Sequence, residues 1–335
     1  MEIKIESPLD MHLHLRDGEM LNLTVPASSK TFSGALVMPN LEPPITTREE
    51  AANYKARILS VCEGDLFEPY MTLFFKDSYS QELLASARKD ILAVKLYPKG
   101  ATTHSAMGVV SPLEPKCMEV IGMLEKLGIP LCIHGETGGF VLDREREFIP
   151  IYEELARSFK NLKIIMEHIT TRELVELLER HENLYATVTL HHLLITLDDV
   201  IGGMLNPHNF CKPIPKTPAD REALRAIALS AHPKVMFGSD SAPHPRGRKE
   251  ACCGAAGVFS APIALELLAE IFEDGGALDK LWDFVSGNAR RIYGISPPRK
   301  TVILREKEHK IEEAYGEVVP FMRGKTLRWS VAEVV

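Results

Sequence analysis

The feature that most constrains the fold of this chain is a repeated alternation of short apolar runs with longer amphipathic segments. Eight of the runs have the length of a strand, and several are apolar throughout, as is typical of strands covered on both faces. They occupy residues 3–14, 35–39, 68–75, 91–97, 129–134, 162–168, 184–190 and 234–240. We therefore predict eight strands, each followed by a connection long enough to hold a helix.

The segments between these runs carry the apolar spacing of helices, over residues 47–62, 80–89, 115–127, 144–159, 171–180 and 218–229. The first has a start signal, because Thr47 can cap a helix and Glu50 follows three residues later. Strands and helices in alternation predict an α/β fold, a (β/α)8 TIM barrel. We expect one domain over residues 1–335, with residues 294–335 as a C-terminal extension packed on it.

Composition and charge restrict the partners of the chain. Its 45% hydrophobic and 25% charged residues are those of an ordinary soluble protein. The formal net charge of −7 argues against a nucleic-acid partner, because phosphate binding needs a basic surface. No apolar run approaches the length that crosses a membrane, and the N-terminus lacks a signal-peptide pattern. We expect a cytoplasmic protein that acts on a small molecule and binds neither nucleic acid nor membrane.

The six cysteines show no C-x-x-C pattern, and we expect them to be free thiols in a reducing compartment. They are Cys62, Cys117, Cys132, Cys211, Cys252 and Cys253. The adjacent histidines His191 and His192 follow the seventh predicted strand, and we expect them to pack or to support the site from behind.

Reactive side chains gather at the ends of the predicted strands, where the active site of such a barrel lies. Only 12 histidines are present in the chain, yet four of them fall at these positions. The residues at strand ends are His12 and His14 (first strand), Lys95 (fourth), His134 (fifth), His168 (sixth) and Asp240 (eighth). This coincidence predicts a metal site at the C-terminal ends of the strands.

Spacing and residue type both favour a metal. His12 and His14 are two apart on a strand, so their side chains share one face and can hold one cation. His134 and His168 would suit zinc or a similar ion, although each alone is typical of a core histidine. Asp240 can bind a metal and accept a proton, or instead cap a helix. Lys95 is costly to bury as an ammonium ion, which a carbamate or a salt bridge would relieve.

The motifs around these residues resemble those of the amidohydrolase superfamily and, within it, of the short stand-alone bacterial dihydroorotases. The motifs are residues 12–18 (HLHLRDG), 38–40 (MPN), 95–98 (KLYP), 101–103 (ATT) and 238–244 (GSDSAPH). The likeness continues to residues 252–257 (CCGAAG) and is weakest after Tyr293.

The resemblance implies two Zn²⁺ ions per subunit, bridged by an N6-carboxylated Lys95. One ion would be held by His12, His14, Lys95 and Asp240, and the other by His134, His168 and the shared carbamate. Asp240 would also be the catalytic acid and base. The resemblance further implies a homodimer.

A second set of residues would bind the substrate, again as the resemblance implies. Arg16, Asn40 and His244 would hold a substrate carboxylate. Taken singly, the arginine could instead form a surface ion pair, the asparagine could belong to a turn and the histidine to an exposed loop. Thr102 and Thr103 lie in a glycine- and hydroxyl-rich loop expected to close over the substrate. The remaining expected contacts are His14, His134 and main-chain groups near Lys212 and Ala256.

The implied reaction is the reversible hydrolysis of the cyclic amide of (S)-dihydroorotate to N-carbamoyl-L-aspartate, a step of de novo pyrimidine biosynthesis. Another cyclic-amide hydrolase, of the hydantoinase or allantoinase type, is the nearest alternative. A non-catalytic barrel that serves as a partner subunit is a further alternative, but all six expected metal ligands are present. A nucleotide-binding sheet is disfavoured, since no glycine-rich phosphate motif follows the first strand.

Overall fold

The computed structural model describes residues 1–335, and the chain begins with two strands in different sheets. These are β1 (Glu2–Glu6) and β2 (Leu9–Leu13). The prediction of one strand over residues 3–14 is therefore wrong. The break has a local cause, because Ser7 has a φ of 46° and Pro8 has no amide hydrogen to donate.

Eight parallel strands form the main sheet, and each pairs with the next one along the chain. After β2 they are β3 (Gly34–Val37), β4 (Glu68–Phe74), β5 (Ala93–Leu96), β6 (Leu131–Ile133), β7 (Ile164–Met166), β8 (Leu184–Val188) and β9 (Val235–Phe237). Seven of the eight predicted runs contain their strands, β3 begins one residue before its run, and the predicted (β/α)8 barrel is confirmed.

Helices connect the strands and cover the outside of the barrel. They are α1 (Leu21–Ser29), α2 (Arg48–Leu59), α3 (Gln81–Ala87), α4 (Pro115–Leu127), α5 (Arg144–Ser158), α6 (Arg172–Leu177), α7 (Asp198–Ile201), α8 (Pro218–Leu229), α9 (Arg246–Lys249), α10 (Ala264–Asp274) and α11 (Asn288–Tyr293). The bounds of α4 and α8 agree with the prediction, and Thr47 and Glu50 form the expected capping box of α2. None of the helices combines the length and hydropathy needed to span a bilayer.

The barrel closes between β2 and β9 through residues at the ends of these strands. The amide of Asp240 donates to the carbonyl of His12 over 2.8 Å, and the amide of His14 donates to Ser241 over 3.2 Å. Leu13 and Ser241 form a parallel bridge. The closing contacts of the fold are therefore made by the same short segments that carry three expected metal ligands.

An irregularity in β2 aims its histidines into the barrel. The register with β3 shifts between Asp10 and Leu13. Met11 belongs to the small apolar cluster inside the barrel, together with Leu36, Ala93, Cys132, Ile165 and Met236. His12 nevertheless also faces the interior, where it meets His168, and Leu13 packs in the outer core. A bulge of this kind re-aims a side chain without changing the strand direction.

The end of the chain pairs with its beginning. Strands β10 (Thr301–Lys310) and β11 (Thr326–Val334) form an antiparallel sheet with β1, in the order β1-β10-β11. Trp329 of β11 is fully buried in the main core. All six cysteines are free thiols; the four that precede residue 212 are buried, and Cys252 and Cys253 are exposed.

Candidate active site

Most of the predicted site residues line one small cavity at the C-terminal ends of the strands. Its lining comprises His12, His14, Arg16, Asn40, Tyr97, Thr102, Thr103, His134, His168, Lys212, Asp240, Ala242, Ala256 and Gly257. Eleven of the thirteen predicted residues are among these. Of the other two, Lys95 is fully buried in the barrel interior and His244 contacts Arg16.

His12, His14 and Asp240 form the first cluster of possible metal ligands. The Nε2 atoms of His12 and His14 lie 3.5 Å and 3.1 Å from Asp240 Oδ1. Burial alone would raise the pKa of Asp240, but the hydrogen bond to His14 and the neighbouring His12 hold it below its ordinary value. Burial lowers the pKa of His14 to about 4. At neutral pH the cluster therefore contains a carboxylate that faces the uncharged imidazole of His14.

Glu167 fixes the orientation of His12 from behind. Its Oε2 lies 2.7 Å from His12 Nδ1 and accepts the Thr187 hydroxyl over 2.6 Å. A carboxylate partner favours the tautomer with the proton on Nδ1, so the lone pair of His12 Nε2 points toward Asp240. Such a carboxylate–histidine pair is the usual support of a metal ligand.

His134 and His168 form the second cluster. His134 Nδ1 lies 3.1 Å from His168 Nε2, while His134 Nε2 lies 2.7 Å from the buried carboxylate of Glu136. Burial lowers the pKa of both imidazoles. The rings of His12 and His168 are 4.9 Å apart, so the two clusters adjoin. His168 and Asp240 have φ angles of 41° and 43°, a backbone strain often found at functional sites.

Lys95 lies beneath these side chains as an isolated buried amine. Its Nζ has no hydrogen-bond partner in the chain and sits 5.0 Å from the centre of the Tyr97 ring. Burial lowers the pKa of the amine, which favours its neutral, nucleophilic form. No salt bridge to a neighbouring carboxylate forms, so this alternative for Lys95 does not apply here.

The donor set suits a pair of borderline cations such as Zn²⁺. In the first cluster the Nε2 atoms of His12 and His14 converge on one carboxylate oxygen of Asp240, so one cation could be bound by all three side chains. His168 Nδ1 and Lys95 Nζ are buried polar atoms with no partner in the chain. Nitrogen and oxygen ligands in this mixture are typical of hydrolytic zinc sites.

Arg16 lies at the rim of the cavity with its guanidinium held in place. Its Nε donates to the carbonyl of Pro243 over 3.0 Å, and its Nη2 lies 3.0 Å from His244 Nε2. Burial and the nearby Arg16 lower the pKa of His244 to about 3, so its neutral ring can accept from Arg16. The remaining hydrogens of Arg16 are available to an anion in the cavity.

The loop with Thr102 and Thr103 lies over the mouth beside Asn40. Asn40 Nδ2 donates to the carbonyl of Thr103 over 3.1 Å, and His104 Nδ1 lies 3.2 Å from the carbonyl of Asn40. Inside the loop, the Ser105 hydroxyl accepts from the Thr102 amide over 3.0 Å. The structure thus brings both threonines and Asn40 together at the cavity.

Lys249, which the sequence reading missed, holds the main chain near Lys212 and Ala256. Its buried Nζ donates to the carbonyls of Phe210, Ala255 and Gly257 over 2.8, 2.9 and 2.6 Å. These residues flank Lys212 and Ala256, which line the cavity. Burial lowers the pKa of Lys249 to about 8.

Glu136 and Glu167 were also missed by the sequence reading. Each stands within two positions of a predicted ligand, in His134-Gly135-Glu136 and Glu167-His168. That spacing was a usable sign for Glu136, since a strand residue two positions on shares the same face. It was not for Glu167, whose partner His12 belongs to a different strand.

Comparisons with known proteins agree with this geometry. An amidohydrolase family model matches residues 81–295. A dihydroorotase of Helicobacter hepaticus is 47% identical, with 99% of this chain and 98% of the relative covered. This chain belongs to the dihydroorotase family. The predicted resemblance is confirmed, and with it the class of metal-dependent cyclic amidohydrolases.

Solved structures of the dihydroorotase family match over nearly the whole chain. The crystal structure of a Campylobacter jejuni dihydroorotase superposes with a TM-score of 0.94 at 50% identity, covering 99% of this chain and 98% of that one. A Saccharomyces cerevisiae dihydroorotase in complex with 5-fluoroorotic acid gives 0.92 at 34% identity, covering 98% of each chain. An L-hydantoinase of Arthrobacter aurescens shares the fold at 16% identity, with a TM-score of 0.85.

Proposed function

We propose that this chain catalyses the reversible hydrolysis of the ring amide of (S)-dihydroorotate to N-carbamoyl-L-aspartate, in de novo pyrimidine biosynthesis. The observation that carries the proposal is one small cavity lined by an anchored arginine, four strand-end histidines and Asp240. Arginine fits a carboxylated substrate, and the imidazole clusters fit a metal-assisted hydrolysis. The yeast relative, described with 5-fluoroorotic acid, also accommodates a carboxylated pyrimidine ring.

The proposal includes two Zn²⁺ ions. His12, His14 and Asp240 would hold one, and His134 and His168 the other. Lys95 would bridge them after its amine adds carbon dioxide, giving a carbamate and a proton. Its burial and lack of a partner support this step. When bound, the pair supplies a water molecule acidic enough to attack at neutral pH and polarises the amide carbonyl.

Asp240 would move the proton during catalysis. Its depressed pKa keeps it ionised, so it can take a proton from the attacking water. The ring amide C–N bond then breaks, and Asp240 delivers that proton to the departing nitrogen. Ring closure is the reverse of this sequence and consumes a proton overall, so lower pH favours it.

The substrate carboxylate would be held by Arg16, Asn40 and His244. The guanidinium is fixed by Pro243 and His244, so little of its freedom is lost when the anion arrives. Thr102 and Thr103 would close over the ring and exclude water. Main-chain groups of Lys212 and Ala256 and the side chains of His14 and His134 would complete the contacts.

The function is tested by assaying ring opening of L-dihydroorotate by ultraviolet absorbance, with hydantoin and allantoin in parallel. We expect turnover of dihydroorotate alone, with about two zinc ions per chain. Asp240→Asn should abolish it, whereas Asp283→Asn, at a surface ion pair with Arg291, should not. Turnover of hydantoin or allantoin instead would move the substrate to the hydantoinase or allantoinase type.

The proposal also covers the setting of the enzyme, a homodimer in the cytoplasm that acts without nucleic acid. Six free thiols fit a reducing compartment. Sedimentation of the purified protein tests the dimer, since a single species at the monomer mass would contradict it.

A further inference from the structure

A second group of possible metal ligands lies outside the catalytic cavity. His191 and His192 form a short turn directly after β8, and Cys211 precedes Lys212. All three side chains are buried, and one ligand atom from each lies within 4.8 Å of the other two. None of the three lines the cavity that holds the catalytic clusters.

The spacing of these atoms suits a tetrahedral ion. Cys211 Sγ lies 3.6 Å from His192 Nε2. Zinc takes sulfur at about 2.3 Å and nitrogen at about 2.0 Å, which puts two such ligands about 3.5 Å apart at the tetrahedral angle. The rings of His191 and His192 are 4.4 Å apart, so both can face the same point. One ion can therefore reach all three residues without a large rearrangement.

His191 gives independent evidence for an absent partner. It is fully buried, yet neither of its ring nitrogens has a hydrogen-bond partner in the chain. A buried polar group left without a partner is unfavourable, and a structural histidine of the core avoids this by hydrogen bonding to a carbonyl. A metal ion bound to one nitrogen would use the lone pair that the chain leaves free.

His192 is already supported in the way of a metal ligand. Its Nδ1 lies 2.8 Å from the Thr189 hydroxyl, which also accepts the His192 amide over 3.1 Å. With the proton on Nδ1, the lone pair of Nε2 points toward Cys211. In the other tautomer Nε2 would instead donate to the carbonyl of Pro213, which lies 3.1 Å away. Metal binding therefore requires the proton of His192 to be on Nδ1, and it would release the thiol proton of Cys211.

We propose that His191, His192 and Cys211 form a third metal site, separate from the catalytic pair, for a thiophilic cation of the Zn²⁺ class. A thiolate with two imidazoles selects such an ion over Mg²⁺ or Ca²⁺. The carbonyl of Phe210, the residue before Cys211, accepts from the Gly257 amide and from Lys249. An ion on Cys211 would thus tie the turn after β8 to the two segments that carry Lys212 and Ala256.

Cobalt(II) distinguishes this site from the catalytic one, because the proposed catalytic ligands contain no sulfur. Metal-free full-length protein is titrated with Co²⁺ and the sulfur-to-cobalt charge-transfer absorption in the near ultraviolet is followed. We expect a thiolate band as a third equivalent binds. Cys211→Ser should remove the band and one equivalent, whereas a Cys252→Ser/Cys253→Ser double variant, which lacks both exposed thiols, should keep them.

The wild-type titration alone can overturn the proposal, should Cys211→Ser fail to fold. Saturation at two equivalents without a thiolate band would refute it, as would a band lost only in the Cys252→Ser/Cys253→Ser variant. His191→Gln gives a second test, since it should weaken the third equivalent while leaving the first two. These titrations measure metal binding and not catalysis, so an error in the proposed substrate would not change their results.

Discussion

Replacing Arg16 by methionine tests how this enzyme recognises its substrate. The guanidinium is fixed by Pro243 and His244 at the cavity rim, so its loss would leave the substrate carboxylate without its main partner. Breaking one side of a desolvated ion pair costs about 3–5 kcal/mol. At 1.36 kcal/mol for each factor of ten, kcat/KM for dihydroorotate should fall by about 150- to 5,000-fold.

The loss of affinity in Arg16→Met should depend on the carboxylate of the bound molecule. Two inhibitors with similar rings, of which only one carries a carboxylate, can test this. Arg16→Met should raise the inhibition constant of orotate by a factor in the same range and change that of uracil by less than about threefold. The matched control is Arg57→Met, because its ion pair with Asp17 is exposed and worth at most about 1 kcal/mol. Equal losses for orotate and uracil would refute the clamp and indicate a distorted cavity instead.

Three further changes test the support of the site and the stability of the fold. Glu167→Gln should weaken zinc binding about 10- to 100-fold in a chelator competition, because it removes the carboxylate that orients His12; unchanged affinity would contradict that role. Gly238→Ala should also lower metal content, since its Cβ would lie 2.8 Å from that of His12; full zinc occupancy would show that the strand can yield. Burial raises the pKa of Glu266 from its ordinary 4.5 to about 7, so the free energy of unfolding falls as the pH rises from 4.5 to 7. In urea unfolding, Glu266→Gln should therefore restore at most about 3 kcal/mol at pH 8 and nothing at pH 4.5. Equal gains at both pH values would exclude a titration effect.

The barrel could be predicted from sequence because its strands are buried on both faces and its helices are amphipathic. Such patterns are local, and α4 and α8 even begin and end where the sequence predicts. Helix α1 was missed, since Pro26 lies inside it and its serines and threonine are poor helix formers. The break at Ser7 and Pro8 was missed because apolar and polar residues alternate on both sides of it, as they would in one strand.

The part of the site that could be predicted from the sequence is the part formed by residues at the converging ends of the strands. Strand topology alone brings His134 beside His168 once the barrel is known. The bulge in β2, which aims both Met11 and His12 inward, leaves no pattern in the sequence. Lys249 was equally hidden, because a lysine in a charged, exposed-looking stretch gives no sign that three carbonyls surround its ammonium group.

The junction at which β2 and β9 close the barrel determines whether the cluster of His12, His14 and Asp240 can form. β2 is the first strand of the barrel in the chain, whereas Asp240 and Ser241 follow the last one. His12 and His14 therefore meet Asp240 only where the first and last strands of the barrel are joined. A cation bound there stabilises the closed barrel and none of the open intermediates, so it widens the free-energy gap between them.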